Sequence, residues 1–520
     1  MHAGRMTAGA WPRGHARGLP AAVGGRPGAA PLLLWAGLWG GLNTGPWVLA
    51  DSPERWTDAV HWLRALLPPA CLVAALLGLL ARAARHEAAS ALWRARPVRP
   101  WLCYGLLGLL CCAFSPEPLG AAYWAAAYLA AFAVLALWVP AGPPLLAVQC
   151  ALRALRWSWL LAALLLGLLL LAAREVLLVQ GPEGWTGYGV YGRLPEVAGM
   201  PMSRATGLAR LAAVPCLLGL VAGCAGRGRW RWLGWGLALG SGALVVLLQA
   251  RGAIAGLLGA AALVLLLAGP HTRRAGVLAA VLFALAFGAE LFTERALQGA
   301  GRYLARGADP DHLLTLSGRT RVWSAAWQAV LEPPWLGRGP QADRYVLGEH
   351  VHNALLYAAL QAGLPGLLLF AAGWVRSWAA LRRCWRASRG APDAERASLL
   401  AAAALLAFFT IRSAVEASGA VYAIDLLLLL PAMAHVGLLD AARAGPLAPG
   451  RAIMPGRTPG LQSGPMAGAA GTWTPAGWAP LRGWRAARGS GAEATSPPHP
   501  DEEARRWNGH AVPGPPPSWR

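Results

Sequence analysis

Between Pro31 and Leu439 the sequence alternates apolar runs of bilayer-crossing length with polar breaks that usually carry arginine. A water-soluble core asks for amphipathic stripes, whereas runs of about 17–25 predominantly apolar residues have the length of a membrane span. The pattern covers most of the 520 residues, of which 56% are hydrophobic and 13% charged. It predicts an all-α fold, a polytopic helical membrane protein with about twelve transmembrane helices.

The net charge of +22 would suggest nucleic acid in a soluble chain. Here the cations sit in short loops between apolar runs and in the tail, as the positive-inside rule requires, and no nucleic-acid partner is expected. All 46 basic side chains are arginine, so arginine at any one position is no hint by itself of forked oxyanion recognition. The eight cysteines fall in apolar runs or at their inner ends without metal-type spacing. Neither disulfides nor structural zinc are expected from them.

The charge rule orders the chain. Residues 1–30 form a basic inner segment, and the first run, Pro31–Ala50, reads as an anchor because it lacks a small-residue cleavage site. Spans one to nine occupy 31–292, with a polar outer loop at 174–206. The largest polar interruption, 293–352, is a second outer loop, and spans ten to twelve follow over 353–439. Residues 440–520 are rich in Pro, Gly and Ala and too polar to pack a core, which predicts a disordered inner tail. Both termini then lie inside, and both long loops outside.

Groups able to do chemistry gather at the outer edge. Arg204 opens the sixth span, Arg251 stands between the seventh and eighth, Arg319 and Arg321 lie in the large loop, and His352 opens the tenth span. Arginine near hydrocarbon is costly unless it snorkels or meets an anion. A single such residue anchors a span end as readily as it binds a ligand; five on one face point to a site. Gly252, beside Arg251, lets another backbone or a ligand come close. Glu290, Arg412, Glu416 and Asp425 lie near outer span ends and carry weaker signals of support for that set.

The large loop contains its own helix. Val322, Trp323, Ala326, Trp327, Val330 and Leu331 recur at helical spacing, Pro333 and Pro334 stop the run, and Ser317 is the candidate N-cap. Arg319 and Arg321 then fall in the first turn, where cations oppose the helix dipole by about 0.3–1 kcal/mol each. A bound anion reverses that sign, meeting free backbone N–H groups and guanidinium forks together, and a diphosphate is the natural candidate. A helix lying on lipid headgroups explains the greasy face equally well. His352 is a competent general base, although a cap for the tenth span, by an imidazole or Asn353, is the plainer role. His350 and His352 are two apart, a spacing that shares a face only on a strand, so no metal is expected there. Asp309-Pro310-Asp311-His312 reads as a solvated turn.

The stretch GRTRVWSAAWQAVLEPPWLGRG, followed by HNALLYAALQAGLPGLLLF, resembles the signature of the O-antigen ligase and O-antigen polymerase superfamily of bacterial envelopes. That pattern has an arginine before a tryptophan-bearing helix, a Pro…Gly-x-Gly turn, and a His-Asn or His-Ser that opens a span with a later Gly-x-x-Gly. SRATGLARLAAV at 203–214 resembles the family's Arg-x-x-Gly segment, and QARGAIAGLL at 249–258 its Ser-Arg-Gly segment, with alanine in place of the hydroxyl residue. The resemblance implies a metal-independent, cofactor-free glycosyltransferase in the bacterial inner membrane. The outer face is then the periplasm, and both termini are cytoplasmic. Its donor is a glycan on undecaprenyl diphosphate. Its acceptor is the lipid A core for a ligase, another lipid-linked glycan for a polymerase, or a protein hydroxyl for related transferases. His352 takes the role of base, while Arg251 and Arg319, with Arg204, bind the diphosphate; Arg321 joins them by its place in the first turn of the loop helix.

A transporter or lipid-linked-sugar flippase is the rival from another class, since about twelve spans is also a transporter plan. Such folds carry repeats and midplane charges; this chain has no visible repeat, and its polar groups cluster at one edge. A scaffold subunit of an envelope complex is the third reading.

Overall fold

The computed structural model describes residues 28–42, 56–172, 205–248, 250–269, 319–332, 334–389 and 391–444. Among them there is no strand, and the helices run α1 (Ala29–Gly40), α2 (Trp56–Ala84), α3 (Val98–Leu110), α4 (Pro118–Trp138), α5 (Pro144–Ala172), α6 (Ala205–Ala225) and α7 (Arg229–Leu247). There follow α8 (Arg251–Ala268), α9 (Arg319–Leu331), the short α10 (Ala342–Val346), α11 (Ala354–Ala387), α12 (Asp393–Ser413) and α13 (Ile424–Ala444). Eight of these are long and apolar enough to cross a membrane: α2, α4, α5, α6, α8, α11, α12 and α13. The chain is an all-helical, multi-pass membrane protein.

Helices occur at all the predicted spans except the ninth, which lies outside the described residues. Some bounds differ. The first run is helical only over Ala29–Gly40. The fifth helix begins at Pro144 rather than near Trp157, so Arg153 and Arg156 ride on the helix instead of preceding it. The tenth runs on to Ala387 and carries Arg376, Arg382, Arg383 and Arg386 on the helix itself. Arginine and alanine are strong helix formers, so a helix need not stop where the hydrocarbon does. The seventh, α7, is a helix of 19 residues but not among the eight of spanning character.

α13 is the central element, with Leu426 through Leu430 wholly inaccessible, and it packs on α5, α11 and α12. Several aromatic polar groups inside the bundle are tied to backbone, as a medium without water favours. Trp101 donates to the Phe370 carbonyl at 3.0 Å, and Tyr104 donates to the Ala420 carbonyl at 2.9 Å. A buried ion triad joins three helices: Asp425 of α13 meets Arg210 of α6 at 3.0 Å and Arg412 of α12 at 3.5 Å. At the opposite end of the bundle Arg383 forks onto Asp440 at 2.9 and 2.7 Å, and Arg227 meets Asp393 at 2.7 Å.

The decisive irregularity lies in α11. Ala362 and Gly363 leave helical geometry, Gly363 at φ +66, and Pro365 follows. Proline has no N–H for the Gln361 carbonyl and clashes with it. The segment after α9 supplies what the break lacks. Gly339 N–H donates to the Gln361 carbonyl at 3.0 Å, and Arg338 N–H donates to the Leu360 carbonyl at 2.8 Å. In return Leu364 N–H donates to the Pro334 carbonyl at 2.8 Å. Gly337 sits so close to the backbone of Gln361 and Ala362 that no Cβ fits. The motif's Pro…Gly-x-Gly turn and its Gly-x-x-Gly (Gly363 to Gly366) are thus two halves of one contact, about 12 Å along α11 from its start at 1.5 Å per residue.

Gly337→Ala forces backbone apart at this contact and should destabilise the protein by about 1–3 kcal/mol, read as a lower thermal midpoint in detergent. Gly236→Ala, where an added Cβ meets nothing within 4 Å, should not lower it. Asp425→Ala leaves two guanidinium groups without their carboxylate and should cost about 3–5 kcal/mol in the same assay. Replacing Arg210 and Arg412 with leucine in that variant should recover much of the loss.

Candidate active site

Six chain segments bring their ends together at the mouth of the bundle: the start of α6, the start of α8, α9, the turn 347–353, the start of α11, and the 414–423 turn between α12 and α13. The order follows from chemistry close to each residue. Arg319 is the first residue of α9, as its spacing predicts, and α9 rests on α11 through buried Ala326 and Val330. Trp327 and Leu331, assigned to the same greasy face, are instead exposed, because only part of the stripe meets α11. Trp323 donates to the Val351 carbonyl at 2.8 Å, fixing the helix to the histidine turn. Asn353 caps α11, its Oδ1 accepting from Leu355 and Leu356 N–H at 3.0 Å each, while its Nδ2 donates to the Ala414 carbonyl at 3.2 Å. The capping role therefore belongs to Asn353 and leaves the His352 ring for other work.

Glu416 is the meeting point. His352 Nδ1 lies 3.1 Å from Glu416 Oε2, and the Arg319 guanidinium lies 3.6 Å from Oε1. Arg319 also donates to the Val415 carbonyl. Burial alone would raise the Glu416 carboxyl, but the His352 hydrogen bond and the charges of Arg412, His352 and Arg319 outweigh it and bring it down to about 2. Glu416 is therefore ionised at neutral pH and accepts from His352 Nδ1–H, which leaves the ring's lone pair on Nε2. A carboxyl lowered in the folded state stabilises the fold above its ordinary 4.5 and loses that contribution as pH falls through about 2.

Arg251 begins α8, half-buried, and the close approach allowed by Gly252 is to the same turn: a Cβ there would lie 3.1 Å from Val415 Cγ2. Beneath it is the Arg210–Asp425–Arg412 triad, and Arg412 also feels the charges of Glu416 and Arg319. Among the described residues, three guanidinium groups (Arg210, Arg319, Arg412) face two carboxylates (Glu416, Asp425), an excess of one positive charge. Such a place suits an anion beside a base.

Arg321, also predicted to bind phosphate, is not part of this cluster. It is exposed and 3.5 Å from exposed Glu349, a pairing worth little in solvent. Arg204, Ser317, Glu290 and the Asp309–His312 turn lie outside the described residues. Asp343 carried no mark in the sequence, yet it is wholly buried: its carboxylate accepts Val351 N–H at 3.1 Å and Arg344 N–H at 3.0 Å. Burial raises its carboxyl to about 6. The two histidine rings stand 4.3 Å apart, which alternate residues off a strand do not ordinarily manage. His352 does so by adopting φ +47, in the left-handed region.

Residues 235–371 match the family described as O-antigen ligase. The matched stretch contains Arg251, Arg319, the Pro334–Gly339 segment, His352 and the break in α11; Glu416 and the Arg210 triad lie beyond it. No curated protein matches the chain. The match agrees with the resemblance carried by the motifs: across residues 235–371 the chain is similar to the O-antigen ligase family.

Proposed function

We propose that the protein is a membrane glycosyltransferase that moves a glycan from undecaprenyl diphosphate to an acceptor hydroxyl on the periplasmic side of the bacterial inner membrane, with the lipid A core as acceptor. The observation that carries this reading is the His352–Glu416–Arg319 arrangement: a base whose outer nitrogen is left basic by an ionised carboxylate, beside an excess of guanidinium charge. His352 Nε2 takes the proton of the acceptor hydroxyl as its oxygen attacks the anomeric carbon. The bond from that carbon to the diphosphate oxygen breaks, and undecaprenyl diphosphate leaves with the electron pair. Arg251 and Arg319, with Arg204, stabilise the charge that develops on it. A single displacement of this kind inverts the anomeric centre. Glu416 holds the ring and balances the imidazolium, much as a triad carboxylate does.

Orientation follows from charge. The end of the bundle opposite the site carries Arg82, Arg85, Arg94, Arg227, Arg229, Arg382 and Arg383, which supports placing that end in the cytoplasm. No observation favours a transporter: the buried charges among the described residues belong to one end and to the triad.

His352→Ala should lower transfer by about 10²–10⁴-fold while the protein remains inserted, as measured with lipid-linked glycan and acceptor in proteoliposomes. Wild-type turnover by that variant removes the base assignment. In cells lacking the protein, lipid A should lose all long glycan while lipid-linked polymer accumulates. A single-repeat cap instead identifies a polymerase. Impermeant labelling should find residues 251 and 352 on the same, periplasmic side; a cytoplasmic label at 352 leaves the reaction without its donor.

A further inference from the structure

His350 is two residues from the proposed base and has no part in the reaction just described, yet it makes the contact that sets the base's backbone. Nδ1 of His350 accepts the backbone N–H of His352 at 2.8 Å, and the ring lies between His352, at 4.3 Å, and Tyr357, at 6.4 Å between centroids. We propose that His350 is a positioning residue for His352: its ring nitrogen holds the His352 backbone in the left-handed conformation that aims the imidazole at Glu416. This deepens the functional reading above and rests on it.

The neighbouring atoms leave the 350–352 turn little freedom. Val351 is held at both backbone groups, its N–H on Asp343 and its carbonyl by Trp323 Nε1–H. The His352 N–H is held in turn by the His350 ring, and a residue at φ +47 persists only where its surroundings over-determine it. An imidazole accepts at Nδ1 only when neutral with its hydrogen on Nε2. The charged groups around it are Arg344 and Asp343 from α10, Arg319 from α9, His352 on its own turn and Glu416 from the 414–423 turn. Burial first, then His352, Arg344 and Arg319, push His350 down to about 3, against the opposing pull of Glu416. The ring is therefore neutral near pH 7, and the His352 N–H selects the tautomer that accepts at Nδ1. Asp343 approaches the same nitrogen at 3.7 Å without replacing the His352 N–H as its partner.

The test uses the full chain in proteoliposomes with lipid-linked glycan, and three variants. His350→Phe keeps a ring and its packing but has no acceptor. His350→Asn places an amide oxygen near the position of Nδ1, and His350→Gln places it near Nε2. His350→Phe and His350→Gln should lose about 10- to 100-fold in kcat with KM for the donor unchanged, while His350→Asn keeps most of the wild-type rate. Carbethoxylation of His352, followed by mass spectrometry without any donor present, should speed up in the Phe and Gln variants as the ring leaves Glu416, and stay at the wild-type rate in Asn. Equal activity in the Asn and Gln variants, or equal carbethoxylation in all four proteins, overturns the assignment. A wild-type protein that transfers no glycan overturns the functional reading instead, and the carbethoxylation result still decides the role of His350. Should the Phe variant fail to fold, the Asn and Gln pair, both neutral amides, carries the comparison alone.

Discussion

A break in a transmembrane helix is tolerable only where protein, rather than lipid, meets the freed backbone groups. In α11 the break at Ala362 and Gly363 is met by three backbone hydrogen bonds from the 334–339 segment. That single requirement sets the path of the chain around the site. The segment must come down beside α11 to pair with it, then climb back through α10 to reach residue 354. The climb delivers Asp343, His350 and His352 to the mouth of the bundle, and the descent holds α9, with Arg319, against the same helix.

Glu416 completes the site from the other side of the chain. It is the residue on which a cation and an imidazole converge, and it stays ionised because His352, Arg412 and Arg319 surround it in a place where burial alone would favour the neutral acid. The polarity of the His352 ring comes from this contact rather than from the imidazole itself. One nitrogen is committed to the carboxylate, and the proposed reaction uses the other.

The spans were legible because each is a one-dimensional property: an apolar run of a given length. Their ends were less so. α5 and α11 continue through arginines that composition alone assigned to loops, since a helix of Ala and Arg propagates beyond the hydrocarbon. The first turn of α9 could be read from Val322, Trp323, Ala326 and Val330, which repeat at helical spacing. Trp327 and Leu331 carried the same signal and turn outward, because a periodicity says which residues share a face but not how much of that face a neighbour covers. Arg251, Arg319 and His352 were found through their positions at span ends and through a family pattern. Asp343, Arg210 and the strength of Glu416 were not, because their importance comes from partners on other helices, up to 215 residues away for Arg210 and Asp425. A local window holds no trace of such a pairing.

The triad of Arg210, Asp425 and Arg412 ties α6, α12 and α13 directly under the site. Sliding any one of these helices past the others would strip a charge of its counterion in a medium that solvates it poorly. The floor is therefore stiff, and its electric field is already in place before a substrate arrives. In the proposed transfer, as negative charge passes to a departing oxygen, dipoles and cations beneath need not reorient, and the energy of rearranging the surroundings, which water would demand at every turnover, is largely removed from the barrier.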